Sequence, residues 1–184
     1  MLLIGFGHKA RQGKNTAAVS MLNAAPLECH ARIYAYADAL RKEVLRATCE
    51  AGGLYELIKD MDCPPWVVPE CGKQRSLYQW WGTDYRRAQD PDYWVKRMRE
   101  TLERDAPEVA YVTDVRFLNE AELIHQLGGL LVKCTRTSPP DVVVAEHLSE
   151  KALDGYTGWD YQIVAASAAD CRAQAAALYH QIAG

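Results

Sequence analysis

The sequence has no excess of basic residues, no long apolar run and no export signal. Lys and Arg number 21 and Asp and Glu 24, a formal net charge of −3, so the overall basic charge typical of nucleic-acid-binding proteins is missing. No apolar run reaches the roughly 20 residues that a membrane span needs. The N-terminal MLLIGFGHKA has a short apolar stretch with no basic segment before it, unlike a signal peptide. We therefore expect a cytoplasmic protein with no membrane partner.

The six cysteines are irregularly spaced, and none forms a C-x-x-C pair. Cysteine-based metal sites usually contain such pairs. Cys63 and Cys71 are the candidates for metal ligands, but no nearby Cys or His pair completes a tetrahedral set with them. In a chain of this length without an export signal, we expect reduced thiols.

Short apolar runs alternate with longer helical patterns, which is typical of an α/β fold around a parallel sheet. The predicted strands are residues 2–6, 32–36, 109–113, 130–134 and 161–165. Apolar residues at helical spacing predict helices over about 17–25, 40–45, 94–102 and 117–127. The alanine-rich segment 168–182 is predicted to be helical from its helix propensity. Proline-containing loops are expected at 61–72 and 135–146. The second of these follows a strand, at the sheet edge where α/β proteins bind ligands.

The segment G-F-G-H-K-A-R-Q-G-K-N-T at 5–16 follows an apolar strand and precedes a helix, as a phosphate-binding loop does. Backbone N–H groups at a helix N-terminus bind phosphate, and Lys14 would reach the β- and γ-phosphates of a nucleotide. The first acidic residue of the chain is Glu28, so Lys9, Arg11 and Lys14 are unopposed. The segment predicts a site for a nucleotide's phosphates; the alternative is a glycine-rich turn that binds nothing.

This segment departs from the pattern G-x-x-x-x-G-K-[ST] at two positions. His8 stands where the first glycine is expected, and Asn15 stands where the Mg²⁺-binding hydroxyl is expected, with Thr16 one residue later. Asp114 ends a predicted strand, and an acid there commonly organises Mg²⁺ beside a phosphate loop. We predict Thr16 and Asp114 as metal ligands; the alternative role of Asp114 is a turn or cap.

Residues 73–104 carry a net charge of +3 and six aromatic side chains. Arginine binds phosphate through paired hydrogen bonds, and aromatic faces stack on nucleobases. We predict that Arg75, Gln79 and Arg87 contribute to a nucleotide-sized pocket. The alternative is a solvated basic helix face with tryptophans such as Trp94 in the core.

Several segments, in order, match one known pattern: G-H-K-A-R-Q-G-K-N-T at 7–16, A-D-A-L-R-K at 37–42, R-S-L-Y-Q-W-W-G-T-D-Y-R-R at 75–87, D-P-D-Y-W at 90–94, T-D-V-R-F-L-N-E-A-E at 113–122, G-G at 128–129 and H-L-S-E-K-A-L at 147–153. Over nearly its whole length the sequence thus resembles the phage-type deoxynucleoside monophosphate kinases. The resemblance implies an α/β fold: a P-loop NTPase-type three-layer sandwich whose five-stranded parallel sheet has the order 2-3-1-4-5, with a small lid. It implies one kinase domain over 1–184, with an acceptor-binding insert at about 60–104 and the lid at about 135–150. ATP, Mg²⁺, a deoxynucleoside monophosphate and a second copy of the chain are the implied ligands and partners.

The resemblance also implies roles for individual residues. The ATP-binding set is His8, Lys9, Ala10, Arg11, Gly13, Lys14, Asn15 and Thr16. The acceptor-binding set is Arg75, Gln79, Trp80, Gly82, Thr83 and Arg87, together with Arg116, Asn119 and Glu120 at the sheet edge beside Asp114. The lid region holds Arg136, His147, Ser149 and Glu150; Arg136 is a catalytic residue in this assignment, and Ser149 and Glu150 complete the substrate-binding set.

We expect Lys14, Mg²⁺ and Arg136 to neutralise the transferring phosphoryl group, while Arg75 and Arg87 hold the acceptor phosphate. The second pKa of a phosphate monoester is about 6, so the attacking phosphate oxygen is mostly ionised near neutral pH. No general base is then required.

Two alternatives stay open. One is a P-loop kinase that phosphorylates an alcohol, such as the hydroxymethyl group of a modified pyrimidine in phage DNA, or a small metabolite. An alcohol needs a base, and Asp38, expected at the end of the second strand, is the candidate; its alternative role is a helix N-cap. Nucleic acid is a partner only in this case. The other alternative is a non-catalytic nucleotide-binding module, which His8 and Asn15 favour.

Overall fold

The computed structural model describes residues 1–61, 63–69, 74–137 and 148–183. The chain forms two compact units. The first combines Met1–Ala35 with Arg99–Gly184, and the second is Tyr36–Met98. Within the described ranges, none of the helices has both the length and the apolar character that crossing a bilayer needs.

The first unit is built on a five-stranded sheet in which every strand is parallel to its neighbours. Its strands are β1 (Leu2–Gly7), β2 (Ala31–Tyr34), β3 (Val109–Val115), β4 (Leu130–Arg136) and β5 (Tyr161–Ala165). Their order is β2-β3-β1-β4-β5, which confirms the expected order and the α/β class. The helices of this unit are α1 (Lys14–Ala24), α6 (Leu118–Gln126), α7 (Leu148–Lys151) and α8 (Ala168–Ala183), and the last residues of α5 (Tyr93–Asp105) also belong to it.

Helices cover both faces of this sheet because alternate residues of β1 point to opposite sides. Ile4 and Phe6 are fully buried in a cluster with side chains of α1 and α8. Gly5, between them, lies against Ile124 of α6 and leaves no room for a Cβ. The central strands β1 and β3 are therefore buried on both faces over most of their length. The edge strands are not, since Arg32 of β2 and Gln162 and Val164 of β5 are exposed.

Four strand ends differ from the predicted ones, and the smallest difference is in β1, which ends at Gly7 rather than at residue 6. The edge strand β2 pairs with β3 only from Ala31 to Tyr34, so the predicted end at residue 36 was wrong, and Tyr36 begins a helix. The strand β3 continues to Val115, which pairs with Gly7. The strand β4 continues to Arg136 beside β5. The polar residues at these strand ends remain in the ladder because backbone hydrogen bonds, which do not depend on side-chain type, continue there.

The second unit is helical. It contains α2 (Tyr36–Glu50), α3 (Leu54–Asp60), α4 (Arg75–Gln79), a π-helix (Trp80–Arg87) that continues α4, and most of α5. The helix predicted over 40–45 is confirmed as part of α2, although Leu45 is exposed. The helix predicted over 94–102 is also confirmed as part of α5, and Asp90 Oδ1 accepts the N–H of Asp92 at 3.1 Å just before it. The short helix α3 and the helical segment 75–87 were not predicted.

The two predicted loops are described in part. Residues 61 and 63–69 form no helix or strand, and residues 62 and 70–72 lie outside the described residues. In the second segment, β4 includes residues 135 and 136, while 138–147 lie outside the described residues. Most of the predicted lid, including His147, falls in that range.

Candidate functional site

Residues 8–13 connect β1 to α1, and we call them the β1–α1 loop. Three of its residues have positive φ angles: His8 at 90°, Arg11 at 60° and Gly13 at 89°. Glycine adopts this left-handed region without steric cost, whereas a residue with a Cβ is strained there. His8 therefore takes up the backbone conformation of the glycine that the motif expects at this position.

Gly13 precedes α1 and has no side chain that could cap the helix. Within the described part of the chain no side chain caps this N-terminus, and its first turn holds no acidic residue. In contrast, α8 is capped by Ser167 and by Asp170, whose Oδ2 accepts the N–H of Ala166 at 2.9 Å. The positive end of the α1 dipole and its first N–H groups therefore suit an external anion. Asn15 and Thr16 lie in this first turn.

Lys14 is buried, with 7% of its surface exposed. Its Nζ donates hydrogen bonds to the carbonyl oxygen of His8, at 3.0 Å, and to that of Lys9. Burial lowers the pKa of Lys14 to about 8, and the positive charge of Arg116 adds to that effect. The amine is thus held inside the loop, at the centre of the predicted site.

Glu150, on α7, joins two parts of the site through its carboxylate. Oε2 accepts the N–H of Ala10 at 2.6 Å, and Oε1 accepts a hydrogen bond from Arg116 Nη1, directly after β3. The side chain of Glu150 is 11% exposed. The negative charges of Glu150 and Asp114 both act to raise the pKa of Lys14. Five predicted site residues of the first unit are thereby brought together.

Asp114 and Thr16 are the predicted metal ligands. Asp114 is half-buried near the end of β3, and the next residue, Val115, pairs with Gly7 at the start of the loop. Thr16 is half-buried in the first turn of α1. A hydroxyl and a carboxylate are the hard oxygen ligands that Mg²⁺ prefers, so the chemistry of these residues fits that ion. The magnesium site stays a prediction.

Glu120 has a structural role in addition to the predicted one. It is 3% exposed, and its Oε2 accepts the N–H groups of Arg116 at 2.7 Å and Phe117 at 3.1 Å. The carboxylate therefore caps the start of α6 and fixes the turn after β3. Asn119 is half-buried on the same helix. Substrate contacts by Asn119 and Glu120 stay predictions.

Arg136 ends β4 and has an exposed side chain. Its backbone N–H donates to Gln12 Oε1 at 2.5 Å, which ties β4 to the β1–α1 loop. Ser149 lies on α7 beside Glu150 and is half-buried. The expected action of Arg136 on the transferring phosphoryl group stays a prediction.

Residues distant in sequence surround the loop, and sequence reasoning missed them. A Cβ on Gly7 would lie 2.4 Å from Cη2 of Trp159, so only glycine fits there. Asp154 forms an ion pair with Lys9 at 2.9 Å and lies 3.9 Å from His8 Nε2. No local spacing connects these positions, so no sequence pattern could have found them.

Six of the predicted acceptor-binding residues lie in the second unit, whereas Arg116, Asn119 and Glu120 belong to the first. Arg75 is exposed and Gln79 half-buried on α4, and Thr83 and Arg87 are half-buried on the π-helix. Arg87 Nη1 donates to the carbonyl oxygen of Pro91 at 2.9 Å. The π-helix has wider turns than an α-helix, and π-helical turns occur frequently at functional sites.

Trp80 and Gly82, also predicted to bind substrate, are buried in the packing of this unit. Trp80 stacks on Tyr85 with ring centroids 5.3 Å apart. The carbonyl oxygen of Gly82 accepts a hydrogen bond from Trp94 Nε1 at 2.8 Å, and a Cβ on Gly82 would approach Leu40 to 3.1 Å. These contacts favour the alternative in which the tryptophans belong to the core.

Glu43, on α2, was not identified from the sequence, yet it forms hydrogen bonds with aromatic and arginine side chains of the second unit. Its carboxylate accepts hydrogen bonds from Trp81 Nε1 at 2.8 Å, Tyr93 OH at 2.7 Å and Arg86 Nε at 2.5 Å. Burial alone would raise the pKa of Glu43, but these three hydrogen bonds hold it below its usual value. Arg86 also lies about 5 Å from the ring centroids of Tyr85 and Tyr93.

The prediction that Asp38 lies at the end of the second strand was wrong, because β2 ends at Tyr34 and α2 begins at Tyr36. Asp38 lies in the first turn of α2, where its Oδ1 pairs with Arg41 Nη1 at 2.8 Å. A carboxylate in the first turn is stabilised by the helix dipole. This position favours the alternative in which Asp38 stabilises the start of a helix, although it lies in the first turn and not at the N-cap.

Comparison with known proteins gives one partial similarity, and the chain matches no protein-family model. The chain is 29% identical over 85 residues to the deoxynucleoside-5'-monophosphate kinase of Escherichia phage T5. The aligned part covers 43% of this chain and 34% of the phage enzyme, so the chain spans about a third of that relative's length. Together with the order of the parallel sheet, this similarity supports a nucleotide-kinase-like function.

Proposed function

We propose that the protein transfers the γ-phosphoryl group of ATP to a deoxynucleoside monophosphate and releases the diphosphate. The observation that carries the proposal is the buried Lys14, whose amine lies inside a loop that leads to the uncapped N-terminus of α1. An amine and a helix N-terminus together make an anion-binding site. The partial similarity to a deoxynucleotide kinase supports the same class of reaction.

In this mechanism the first unit binds ATP. The N–H groups of the β1–α1 loop and of the first turn of α1 contact the phosphates, and Lys14 neutralises charge that develops during transfer. Mg²⁺, held by Thr16 and Asp114, would supply further charge neutralisation. Arg136 is the additional cation that we assign to the transferring group.

The second unit supplies the acceptor-binding residues. Arg75 and Arg87 bind the monophosphate as cations, and Gln79 and Thr83 add neutral hydrogen-bonding groups. The support for this assignment is the net charge of +3 over 73–104 and the sequence resemblance. Since the acceptor oxygen is already ionised near neutral pH, the reaction needs no carboxylate base.

The test is release of ADP from ATP in the presence of each of the four deoxynucleoside monophosphates, with product identified by chromatography. We expect acceptor-dependent ADP release and a matching diphosphate, with preference for one base. Separate reactions contain a hydroxymethylated pyrimidine monophosphate and a hydroxymethylated oligonucleotide. Transfer to the oligonucleotide alone would favour the alcohol kinase, and ADP release independent of every acceptor would contradict both kinases.

Asp38→Asn separates the two kinases further. A monophosphate kinase retains most of its turnover in this variant, because Asp38 pairs with Arg41 in the first turn of α2 and no base is required. An alcohol kinase that uses this carboxylate as its base would lose nearly all turnover. The melting temperature, recorded in parallel, controls for a loss of fold.

A further inference from the structure

The carboxylate of Glu150 forms hydrogen bonds that a phosphate group would also form. One oxygen accepts the N–H of Ala10 in the β1–α1 loop at 2.6 Å, and the other accepts from the guanidinium of Arg116. Loop N–H groups and arginine are the two donor types that proteins use most often for phosphate. A carboxylate and a phosphate each present at least two negatively charged oxygens bonded to one central atom, so one group can replace the other at such donors.

The surroundings of Glu150 are those of an anion site. Lys14 is buried in the same loop, and the helix N-terminus that follows it has no side-chain cap within the described residues. The side chain of Glu150 is itself 11% exposed, so its charge is poorly screened by water. An added phosphate that took the same donors would meet this carboxylate at close range, and two anions repel strongly where water is scarce.

We propose that Glu150 occupies the anion position of the β1–α1 loop and competes with a bound polyphosphate for Ala10 N–H and Arg116. This inference rests on the proposed function, because it requires the loop to bind phosphate. In the protein without nucleotide, Glu150 satisfies donors that would otherwise be unpaired. When polyphosphate binds, Glu150 releases them, and the affinity for polyphosphate is lowered by the cost of that exchange.

The test is the affinity of the wild-type chain and of Glu150→Gln for inorganic tripolyphosphate, measured by titration calorimetry without Mg²⁺. Tripolyphosphate has no base or sugar, so the measurement reports on the anion position alone. The variant retains the size of the side chain and removes its charge. We expect it to bind tripolyphosphate about tenfold more tightly than the wild type, equivalent to about 1.4 kcal/mol. ATP, titrated in the same way, should show the same gain.

Asp154→Asn is the matched control. It removes one negative charge from a carboxylate that pairs with Lys9 at 2.9 Å and is 46% exposed. Because this carboxylate bonds to no loop N–H and is screened by water, its removal should change the affinity less than threefold. An equal gain in both variants would mean a general charge effect, and it would overturn the proposal of competition.

The remaining outcomes separate this inference from the proposed function. If the wild type binds tripolyphosphate and Glu150→Gln binds it equally or more weakly, Glu150 supports the loop, and competition is excluded while the kinase proposal stands. If neither chain binds tripolyphosphate or ATP, the loop is not a phosphate site, and both proposals are wrong. As a second readout, tripolyphosphate should raise the melting temperature of Glu150→Gln more than that of the wild type.

Discussion

Glu43 and Glu150 are two similarly buried carboxylates, one in each compact unit, and they differ in their partners. Their side chains are 13% and 11% exposed, and each accepts hydrogen bonds from an arginine and from at least one further donor. The donors to Glu43 are side chains packed in the core: Trp81 is 3% exposed, and Tyr93 contacts the ring of Trp94. The donors to Glu150 are a loop N–H and an arginine at the strand edge.

The difference separates two uses of a buried carboxylate. The donors of Glu43 are side chains of the π-helix and of α5, so the carboxylate connects α2 to both elements. The donors of Glu150 are groups that a phosphate would also bind. Loss of Glu43 should therefore reduce stability, whereas loss of Glu150 should change affinity for an anion.

The largest effect is expected from Lys14→Met, which removes the amine of the loop and retains the length of the side chain. Phosphoryl transfer should fall about 100- to 1,000-fold in kcat/KM, the usual effect of removing one group that stabilises a transition state. The melting temperature should not fall, because the buried amine no longer has to be desolvated. A variant that keeps a tenth or more of the activity would remove Lys14 from the mechanism.

The second expected effect is a loss of stability in Glu43→Ala, which leaves Trp81, Tyr93 and Arg86 without their shared acceptor. We expect the free energy of unfolding of the second unit to fall by about 2–4 kcal/mol. Glu150→Ala should lower that of the first unit by a smaller amount, because it leaves two donors rather than three without their acceptor. Urea unfolding followed by fluorescence reports mainly on the second unit, because four of the five tryptophans lie in residues 36–98.

Glu43→Gln is the control for this comparison, because it retains an acceptor oxygen for the same donors. Its loss of stability should be smaller than that of Glu43→Ala. Equal losses in Glu43→Ala and Glu150→Ala would show that the two carboxylates have the same role, and the contrast drawn from their partners would be wrong.

A third prediction concerns the pH dependence of stability, which should change in the alkaline range for the first unit and in the acidic range for the second. The pKa of Lys14 is lowered to about 8 from 10.5, so the folded state binds fewer protons than the unfolded state between these values. Stability of the first unit therefore rises as the pH increases across that window. The pKa of Glu43 is held below 4.5, so its contribution is present above pH 4.5 and is lost as the pH falls below it.

The same titration should affect anion binding, because only the protonated amine of Lys14 attracts phosphate. Affinity for tripolyphosphate should fall above pH 8, by up to about tenfold per pH unit. In Lys14→Met this component of the pH dependence should disappear, which separates it from titration of the ligand itself. An identical pH profile in both chains would contradict the assignment.

The smallest effect is expected from His8→Gly, which relieves the positive φ angle of 90° at this position. Strain at such a residue costs about 1–3 kcal/mol, and the greater freedom of glycine in the unfolded chain offsets about 0.5–1 kcal/mol of the gain. The difference between these two figures makes the variant more stable by up to about 2 kcal/mol in urea unfolding. His8→Ala keeps the strained backbone and loses the imidazole, so it should not gain stability.

Much of the sheet could be predicted because each strand contains a short run of mainly apolar residues. The run at 161–165 matches β5, and the five predicted strands correspond to the five observed ones. Their order is not a property of any local pattern and was expected only from the resemblance to a family. The helical structure of residues 75–87 was harder to predict. Gly82 disfavours a helix, and the adjacent tryptophans Trp80 and Trp81 do not follow the spacing of apolar residues in an α-helix.

The candidate site, like the sheet, was predictable only where it depends on residues that are close together in the sequence. Local sequence is enough to predict the strand, loop and helix around Lys14, since glycine, lysine and apolar spacing act within a few residues of each other. It could not show that Glu150 lies against Ala10, 140 residues away, or that Glu43 accepts hydrogen bonds from Trp81 and Tyr93, 38 and 50 residues away. Those partners depend on how distant elements pack. Only the folded chain therefore decides which carboxylate accepts hydrogen bonds from packed aromatic side chains and which one contacts the β1–α1 loop.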